Sequence, residues 1–321
     1  MDNPDLTRAT GTMMRSPIDK DVIAVDHAIV VIGEKGGGGK STLTDALVAA
    51  LELAGTRTAV IDADGSNHGY LRRAGLKSAY QLNWGASTSA VANYIDGYLP
   101  GVRAVVVDSG ANFLAAGSNA SGFVSDLLGR LQADGTKILT AAVASTNAPG
   151  TDVLVAHVVE VFGQLGEVAL VQNNVDGSGA FASGLTAIKV QKVTMAKIEA
   201  GFIDVRLQRV EKLADILAAP AENYVRATAA LARATLRLVS QPPFINIVGP
   251  VAITELERLS AAAPGAMFYI VPTARMARDQ ALTANEALSV AIGHLADCDE
   301  VTAWSAVAAY REALTAYRAL R

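Results

Sequence analysis

Short apolar runs alternate with amphipathic stretches along the first half of the chain. Five such runs lie at 28–32, 58–61, 104–107, 137–143 and 168–171. Runs of this length, each closely followed by a glycine or a polar residue, are typical of strands buried on both faces of a parallel sheet. Stretches of helical length separate them, for example at 41–54 and 152–162. The pattern predicts an α/β fold with a mostly parallel, twisted sheet and helices on both faces.

The second half of the chain has a weaker pattern. It predicts a sixth strand and two helices, at 202–207, 209–218 and 222–239. Beyond Pro242 and Pro243, a strand, a helix and a strand are expected, at 244–248, 253–262 and 267–271. Two alanine-rich helices would follow. Residues 1–26 are polar and are interpreted as a flexible leader.

Composition narrows the class of protein. The chain has 321 residues, of which 51% are hydrophobic and 18% charged, so it can bury a large core. Its single cysteine, Cys298, excludes an internal disulfide and an iron–sulfur cluster bound by one chain. We therefore expect a cytoplasmic protein. No apolar stretch reaches the ~18 residues needed to cross a bilayer.

The loop after the first predicted strand carries the strongest chemical signal. It contains Gly36, Gly37, Gly38, Gly39, Lys40, Ser41 and Thr42. Glycines let the backbone turn its N–H groups toward phosphates, and the following helix N-terminus adds a partial positive charge. Lys40 is placed for the terminal phosphates of a nucleotide, and the Ser41 hydroxyl for Mg²⁺. The sequence therefore predicts a phosphate-binding loop.

Polar residues end three other predicted strands. Asp62 and Asp64 follow the second strand, Asp108 follows the third, and Asn173 ends the fifth. Ligands of parallel sheets bind at the carboxyl ends of the strands, so we expect these side chains near the loop. Two aspartates two residues apart in extended backbone point to opposite sides, which gives Asp62 and Asp64 different roles.

The segment KGGGGKST at 35–42 resembles the deviant loop K-G-G-x-G-K-[ST] of the ParA/MinD family. The resemblance implies an ATP-dependent homodimer in which Lys35 reaches the nucleotide of the other subunit. It implies that Asp64 orients the attacking water and that Asp62 lies near Mg²⁺.

The same resemblance implies that Asp108 holds Mg²⁺ through water and that Asn173, or else Asn174, reads adenine. Asp176 would instead suit guanine, but the family favours ATP. In the family, Pro-Gln usually follows the motif that contains Asp62 and Asp64. Here Gly65-Ser66-Asn67 takes that place, a difference that affects the prediction of hydrolysis more than the prediction of binding.

The resemblance divides the chain into the leader, a P-loop ATPase domain at 27–240 and a C-terminal α/β extension at 244–321. It implies a slow ATPase that acts as a switch in plasmid partition, plasmid positioning or conjugative transfer, together with a plasmid-encoded adaptor. The string Asp108-Ser109-Gly110-Ala111 is similar to the TraL/StbB-like branch. Two alternatives stay open: an ATP-dependent metabolic ligase on the same scaffold, and a nucleotide-binding scaffold with little hydrolysis.

Charge suggests where other macromolecules would bind. Residues 185–240 hold nine Lys or Arg and five Asp or Glu, whereas the whole chain has a net charge of −4. Arg226, Arg233 and Arg237 fall on one face of a helix, which suits either nonspecific DNA at the nucleoid or a solvated surface. The amphipathic stretch at 303–321 is expected to pack on the protein rather than on a membrane.

Overall fold

Seven strands form one sheet in the computed structural model. The model describes residues 25–33, 36–65, 67–82, 90–115, 118–146, 148–196, 210–220 and 225–262. The strands are β1 (His27–Ile32), β2 (Thr58–Ala63), β3 (Tyr80–Gln81), β4 (Ala104–Ser109), β5 (Lys137–Ser145), β6 (Glu167–Asn173) and β7 (Gln191–Met195). Their order across the sheet is β3-β2-β4-β1-β5-β6-β7, and every neighbouring pair is parallel. The expected α/β class is therefore confirmed.

Helices cover both faces of this sheet. They are α1 (Lys40–Leu53), α2 (Gly69–Ala74), α3 (Ala90–Tyr98), α4 (Asn119–Ala133), α5 (Thr151–Phe162), α6 (Leu213–Ala218), α7 (Val225–Val239) and α8 (Phe244–Ala261). A 3₁₀ turn lies at Ser183–Thr186. One apolar cluster joins the sheet to α1, α6, α7 and α8, and a second joins its other face to α3, α4 and α5.

The two clusters explain why the strand sequences are continuously apolar. In β1, Ile29 and Val31 belong to the first cluster, whereas Ala28, Val30 and Ile32 belong to the second. Successive side chains of a strand point to opposite faces, so a strand covered on both sides needs apolar residues at every position.

The five strands predicted from apolar runs all fall within observed strands, namely β1, β2, β4, β5 and β6. The edge strands β3 and β7 were not predicted. In β7 only Val193 and Met195 are buried, and the other three residues are exposed, so its apolar signal is too short to detect. The strands expected at 202–207 and 267–271 lie outside the described residues, as do most of the leader and residues 263–321.

The strand expected at 244–248 is wrong, because this segment is the first part of helix α8. Its run of apolar letters resembles a buried strand, but Phe244 and Val248 lie four residues apart and pack on one helical face. Gly249 has φ 75° and ψ 171°, which breaks the helix, and the helical backbone resumes at Pro250.

Helix α8 shares a core with the sheet. Its buried side chains are Phe244, Val248, Ala252, Leu256 and Leu259, all within the same apolar cluster as α1 and α7. The turn before α8 also closes the edge of the sheet. There the Gln241 amide accepts from the backbone N–H of Thr194 at 2.9 Å and donates to its carbonyl at 2.8 Å. The role of the proposed C-terminal unit beyond residue 262 stays a prediction.

None of the helices in the described part of the chain combines the length and apolarity needed to cross a membrane.

The contribution of α8 to the core can be measured. Phe244→Ala should lower the free energy of unfolding by about 4 kcal/mol, because it removes a fully buried ring and leaves a cavity. Val251→Ala is the control in the same helix, since Val251 is 60% exposed, and should change it by no more than about 0.5 kcal/mol. Urea denaturation measures both. Equal, small effects would mean that α8 is dispensable for the stability of the sheet.

Candidate functional site

The glycine-rich loop lies at the carboxyl edge of the sheet, between β1 and α1. Gly37 and Gly39 have φ of 78° and 96°, a region that residues with a Cβ rarely adopt. A Cβ at Gly39 would also overlap the Asn173 amide and the Met195 methyl group. Glycine is therefore required here for both backbone conformation and space.

Lys40 begins α1 and is almost entirely buried, with 7% of its surface exposed. A Cβ at Gly33 would lie 3.2 Å from its aliphatic chain, so the chain runs closely along the end of β1. Burial lowers the pKa of Lys40, while the carboxylates of Asp108 and Asp64 act to raise it. The charge of Lys40 is thus stabilised by two carboxylates at the loop.

Asp108 is a fully buried carboxylate of the site. Its Oδ1 accepts a hydrogen bond from Thr44 at 3.1 Å. Its Oδ2 is buried and has no partner of hydrogen-bond geometry in the described ranges. Burial raises the pKa of Asp108 to about 7; the Ser41 and Thr44 hydroxyls limit this increase, and nearby Asp62 adds to it.

Ser41 and Asp108 share a small space under the start of α2. A Cβ at Gly69 would overlap the Ser41 hydroxyl and would lie 3.7 Å from Asp108 Oδ2. A hydroxyl and an unsatisfied carboxylate oxygen are the donors that Mg²⁺ prefers. The described residues contain no group of three or more His, Cys, Asp or Glu side chains able to hold a metal. The Ser41 hydroxyl and Asp108 Oδ2 together fit Mg²⁺, an ion that keeps several waters and is bound by few protein ligands.

Asp62 pairs with Asp108 in the parallel register of β2 and β4, so the two residues lie side by side. Both Asp62 oxygens accept backbone hydrogen bonds of 3.1 Å, Oδ1 from Asp64 and Oδ2 from Leu71. His68 Nδ1 lies 3.5 Å from Oδ1. Asp62 thus holds the segment from the end of β2 to α2 in place, and its role near a metal stays a prediction.

Asp64 lies at the end of β2, against the end of β4. Its Oδ1 accepts from the backbone N–H of Asn67 at 3.1 Å. A Cβ at Gly110 would lie 3.1 Å from the same oxygen, so the glycine after β4 makes room for the aspartate. Asp64 also acts on the charge of Lys40. The structure brings it to the loop, whereas its action on water stays a prediction.

Asn173 ends β6 and contacts the glycine-rich loop directly. Its Nδ2 donates to the carbonyl of Gly38 at 2.8 Å, and the residue is only 6% exposed. The amide nitrogen is therefore used to hold the loop, and adenine recognition by Asn173 stays a prediction. Asn174 Oδ1 accepts from Gly179 N at 3.0 Å. Asp176 Oδ1 accepts from Ser178 N, a bond that helps lower the pKa of Asp176 to about 2.

A cavity of about 420 Å³ adjoins the loop on the α5 side. It is lined by Gly33, Gly36, Gly38, Lys40, Val143, Ser145, Ala148, Pro149 and Thr151. The cavity therefore extends from Lys40 to Thr151, the first residue of α5.

Other predicted binding residues have different outcomes. Lys35 lies outside the described residues, as does the side chain of Arg226. Arg233 does not form an exposed stripe with Arg237, because it is half-buried and its Nη1 donates to the Ser260 carbonyl of α8 at 2.8 Å. The proposed basic stripe on α7 is thus corrected.

Sequence reasoning missed two residues of the site, Thr44 and Arg73. Thr44 follows Lys40 by four residues and so lies one helical turn further along α1, a spacing that indicates a shared face. Arg73 contacts Thr42 and Asp45 of α1. No local signal distinguishes it from Arg72, which is exposed.

A buried strand, a glycine loop, a lysine–serine helix start and strand-end aspartates together define a P-loop nucleotide-binding domain. Residues 29–159 match the model of the CobQ/CobB/MinD/ParA nucleotide binding domain. This match confirms the resemblance to ParA/MinD-like P-loop ATPases. The TraL/StbB-like branch stays a hypothesis.

Three solved structures illustrate what the chain is similar to. MinD cell division protein of Aquifex aeolicus is 17% identical over 67% of this chain and 97% of its own, with a TM-score of 0.45. A nucleotide-binding protein from Archaeoglobus fulgidus in complex with ADP is 18% identical over 59% of this chain and 89% of its own, with a TM-score of 0.38. The signal recognition particle 54 kDa protein of Aeropyrum pernix in complex with GDP is 12% identical over 94% of this chain and 80% of its own, with a TM-score of 0.34. A comparison with curated proteins gives no significant match.

The buried carboxyl of Asp108 predicts a pH dependence of stability. Because its pKa is raised from 3.8 to about 7 on folding, the folded chain holds the extra proton between these values. The free energy of unfolding should therefore decrease as pH rises from about 4 to 7. Asp108→Asn removes this dependence, so its stability advantage over the unchanged protein should grow from pH 5 to pH 8.

Urea denaturation in metal-free buffer at several pH values measures that difference. Asp126→Asn, which removes an exposed carboxylate from α4, reports the change expected from a surface group. If the advantage of Asp108→Asn were the same at pH 5 and pH 8, Asp108 would ionise like an ordinary carboxyl group.

Proposed function

We propose that the protein binds Mg²⁺–ATP at this loop and hydrolyses it slowly. The observation that supports the proposal is the burial of Lys40 at the start of α1, where the carboxylates of Asp108 and Asp64 act on its charge. A lysine is costly to bury, so a site that keeps one together with an unsatisfied carboxylate oxygen of Asp108 suits a ligand carrying both a metal and several negative charges.

Each residue would have a separate task in that reaction. The loop N–H groups and Lys40 bind the phosphates, and Ser41 and Asp108 hold the metal, Asp108 through water. Mg²⁺ supplies positive charge that offsets the charge of the phosphates. Asp64 accepts a hydrogen bond from the attacking water and orients it. Catalysis would thus rest on positioning and electrostatics rather than on a covalent intermediate.

We further propose that ATP stabilises a face-to-face homodimer, in which Lys35 of one copy contacts the nucleotide of the other. A ligand that touches both subunits binds only the dimer, so its binding shifts the equilibrium toward the dimer. Such a switch suits plasmid partition, plasmid positioning or conjugative transfer in the cytoplasm, with a plasmid-encoded adaptor. A contact with nonspecific DNA would need a basic surface other than the α7 stripe described above.

A second candidate is an ATP-dependent ligase, and the cavity of about 420 Å³ favours it. The cavity lies beside Lys40, where the terminal phosphate would bind, and has room for a small acid. Phosphate release that depends stoichiometrically on an added carboxylic acid would support the ligase. A dimer that forms with ATP alone would support the switch.

Lys40→Ala tests nucleotide binding itself. Removing the ammonium group should weaken ATP binding by about 100-fold, because a buried charge pair is lost. Isothermal titration calorimetry gives the affinity, and circular dichroism checks that the variant is folded. Lys77→Ala removes an exposed lysine near α2 and is the matched control. Equal ATP affinity in both variants would refute the phosphate-loop assignment.

Two further variants separate hydrolysis from dimerisation. Asp64→Ala should bind ATP but lower phosphate release about 100-fold, leaving a persistent ATP dimer in light scattering. Lys35→Ala should bind ATP without dimerising. Asp96→Ala, on the exposed face of α3, is the control. Normal phosphate release by Asp64→Ala would refute the catalytic role of Asp64. If the unchanged protein released no phosphate, the alternative of a nucleotide-binding scaffold with little hydrolysis would be favoured.

A further inference from the structure

The side chain of Arg73 joins helix α2 to the first turns of α1. Its Nη1 donates to Thr42 Oγ1 at 3.0 Å and to Asp45 Oδ2 at 3.3 Å. The Arg73 side chain is 21% exposed and that of Asp45 only 4%. The guanidinium group thus offsets the charge of the buried Asp45 carboxylate, and it contacts the Thr42 hydroxyl at the same time.

Thr42 lies two residues after Lys40, on the turn of α1 that would face the phosphates. A hydroxyl group has one proton to donate and two lone pairs to accept. Since Thr42 Oγ1 accepts from Arg73, its own proton is not used in this bond and can be donated to a different acceptor. A phosphate oxygen bound at the loop would be such an acceptor, and a hydrogen bond to a charged oxygen is a strong one.

The other end of α2 is fixed as well, which keeps Arg73 in place. Asp62 Oδ2 accepts from the backbone N–H of Leu71, and Gly69 packs directly on the Ser41 hydroxyl. Helix α2 therefore contacts α1 at Ser41 and, through Arg73, at Thr42. The segment that carries Asp64 leads into this helix, so its position depends on the same contacts.

We propose that Arg73 is a positioning residue for nucleotide binding, which orients the Thr42 hydroxyl so that its proton is donated to a phosphate oxygen. The proposal rests on the proposed function, because it requires a nucleotide at the loop. It involves the proton of Thr42 rather than the metal. The effect of Arg73 on affinity is therefore present with and without Mg²⁺.

The test compares ATP affinity by calorimetry, with Mg²⁺ and with a chelator, in single and double variants. Arg73→Ala and Thr42→Val should each weaken binding about tenfold, the loss expected for one charge-assisted hydrogen bond. The double variant should be no weaker than the weaker single variant, because both changes remove the same interaction. Thr42→Ser keeps the hydroxyl and should retain most of the affinity.

Arg72→Ala is the matched control, because Arg72 is the exposed neighbour in the same helix. It should bind ATP like the unchanged protein. Arg73→Lys, which keeps the charge beside Asp45, should restore part of the affinity and provides a folded variant if Arg73→Ala is unstable. Thermal unfolding of each variant records stability separately, since a purely structural loss would lower it and leave the affinities additive.

The outcomes separate the two proposals. If the unchanged protein binds no ATP, the proposed function fails and the role of Arg73 fails with it. If the unchanged protein binds ATP but Arg73→Ala equals Arg72→Ala, only the role of Arg73 is refuted. Additive losses in the double variant, or a loss seen only with Mg²⁺, would also refute it while leaving nucleotide binding intact.

Discussion

A buried positive charge at the end of β1 is the constraint on which the site depends. Lys40 lies within the protein and is stabilised by Asp108 and Asp64, which come from two other strands. Those carboxylates are buried or partly buried as well, and Asp108 ionises less readily than an exposed carboxyl group. The lysine and the carboxylates therefore make one another less costly to bury, because their charges are opposite. Because β2, β4 and β1 are neighbours in the sheet, Lys40, Asp108 and Asp64 all lie at its carboxyl edge. The electrostatics of the site therefore depends on the order of the strands.

Polar residues at this edge have two kinds of task, and sequence alone does not separate them. Asp62 and Asn173, which are predicted to contact a ligand, bind the backbone of Leu71 and Gly38. They hold the α2 segment and the glycine loop in position before any ligand arrives. Asp108 differs from them because one of its oxygens has no hydrogen-bond partner in the described part of the chain. That difference depends on neighbours far away in sequence.

The sequence was sufficient where the signal is local. Five strands, α1 and the loop followed from continuous apolar runs and from glycines next to Lys40 and Ser41. It was insufficient where one pattern fits two structures: the apolar residues at 244–248 form a helix because α1 and α7 offer an apolar surface to one face. Arg73 and Arg233 are further cases, since their partners lie about 30 residues away and no spacing rule relates them. Lys35 lies outside the described residues.

The side chain of Gln241 has a consequence for assembly. The outer edge of a sheet is a template on which strands of other molecules can add, a common route to aggregation and to peptide capture. At Thr194 of β7 that template is already filled, because the Gln241 amide takes both the backbone donor and the backbone acceptor. An incoming strand would have to displace a side chain anchored between α7 and α8. Growth by strand addition is thus blocked at this position, and association through β7 there would require the α7–α8 turn to move first.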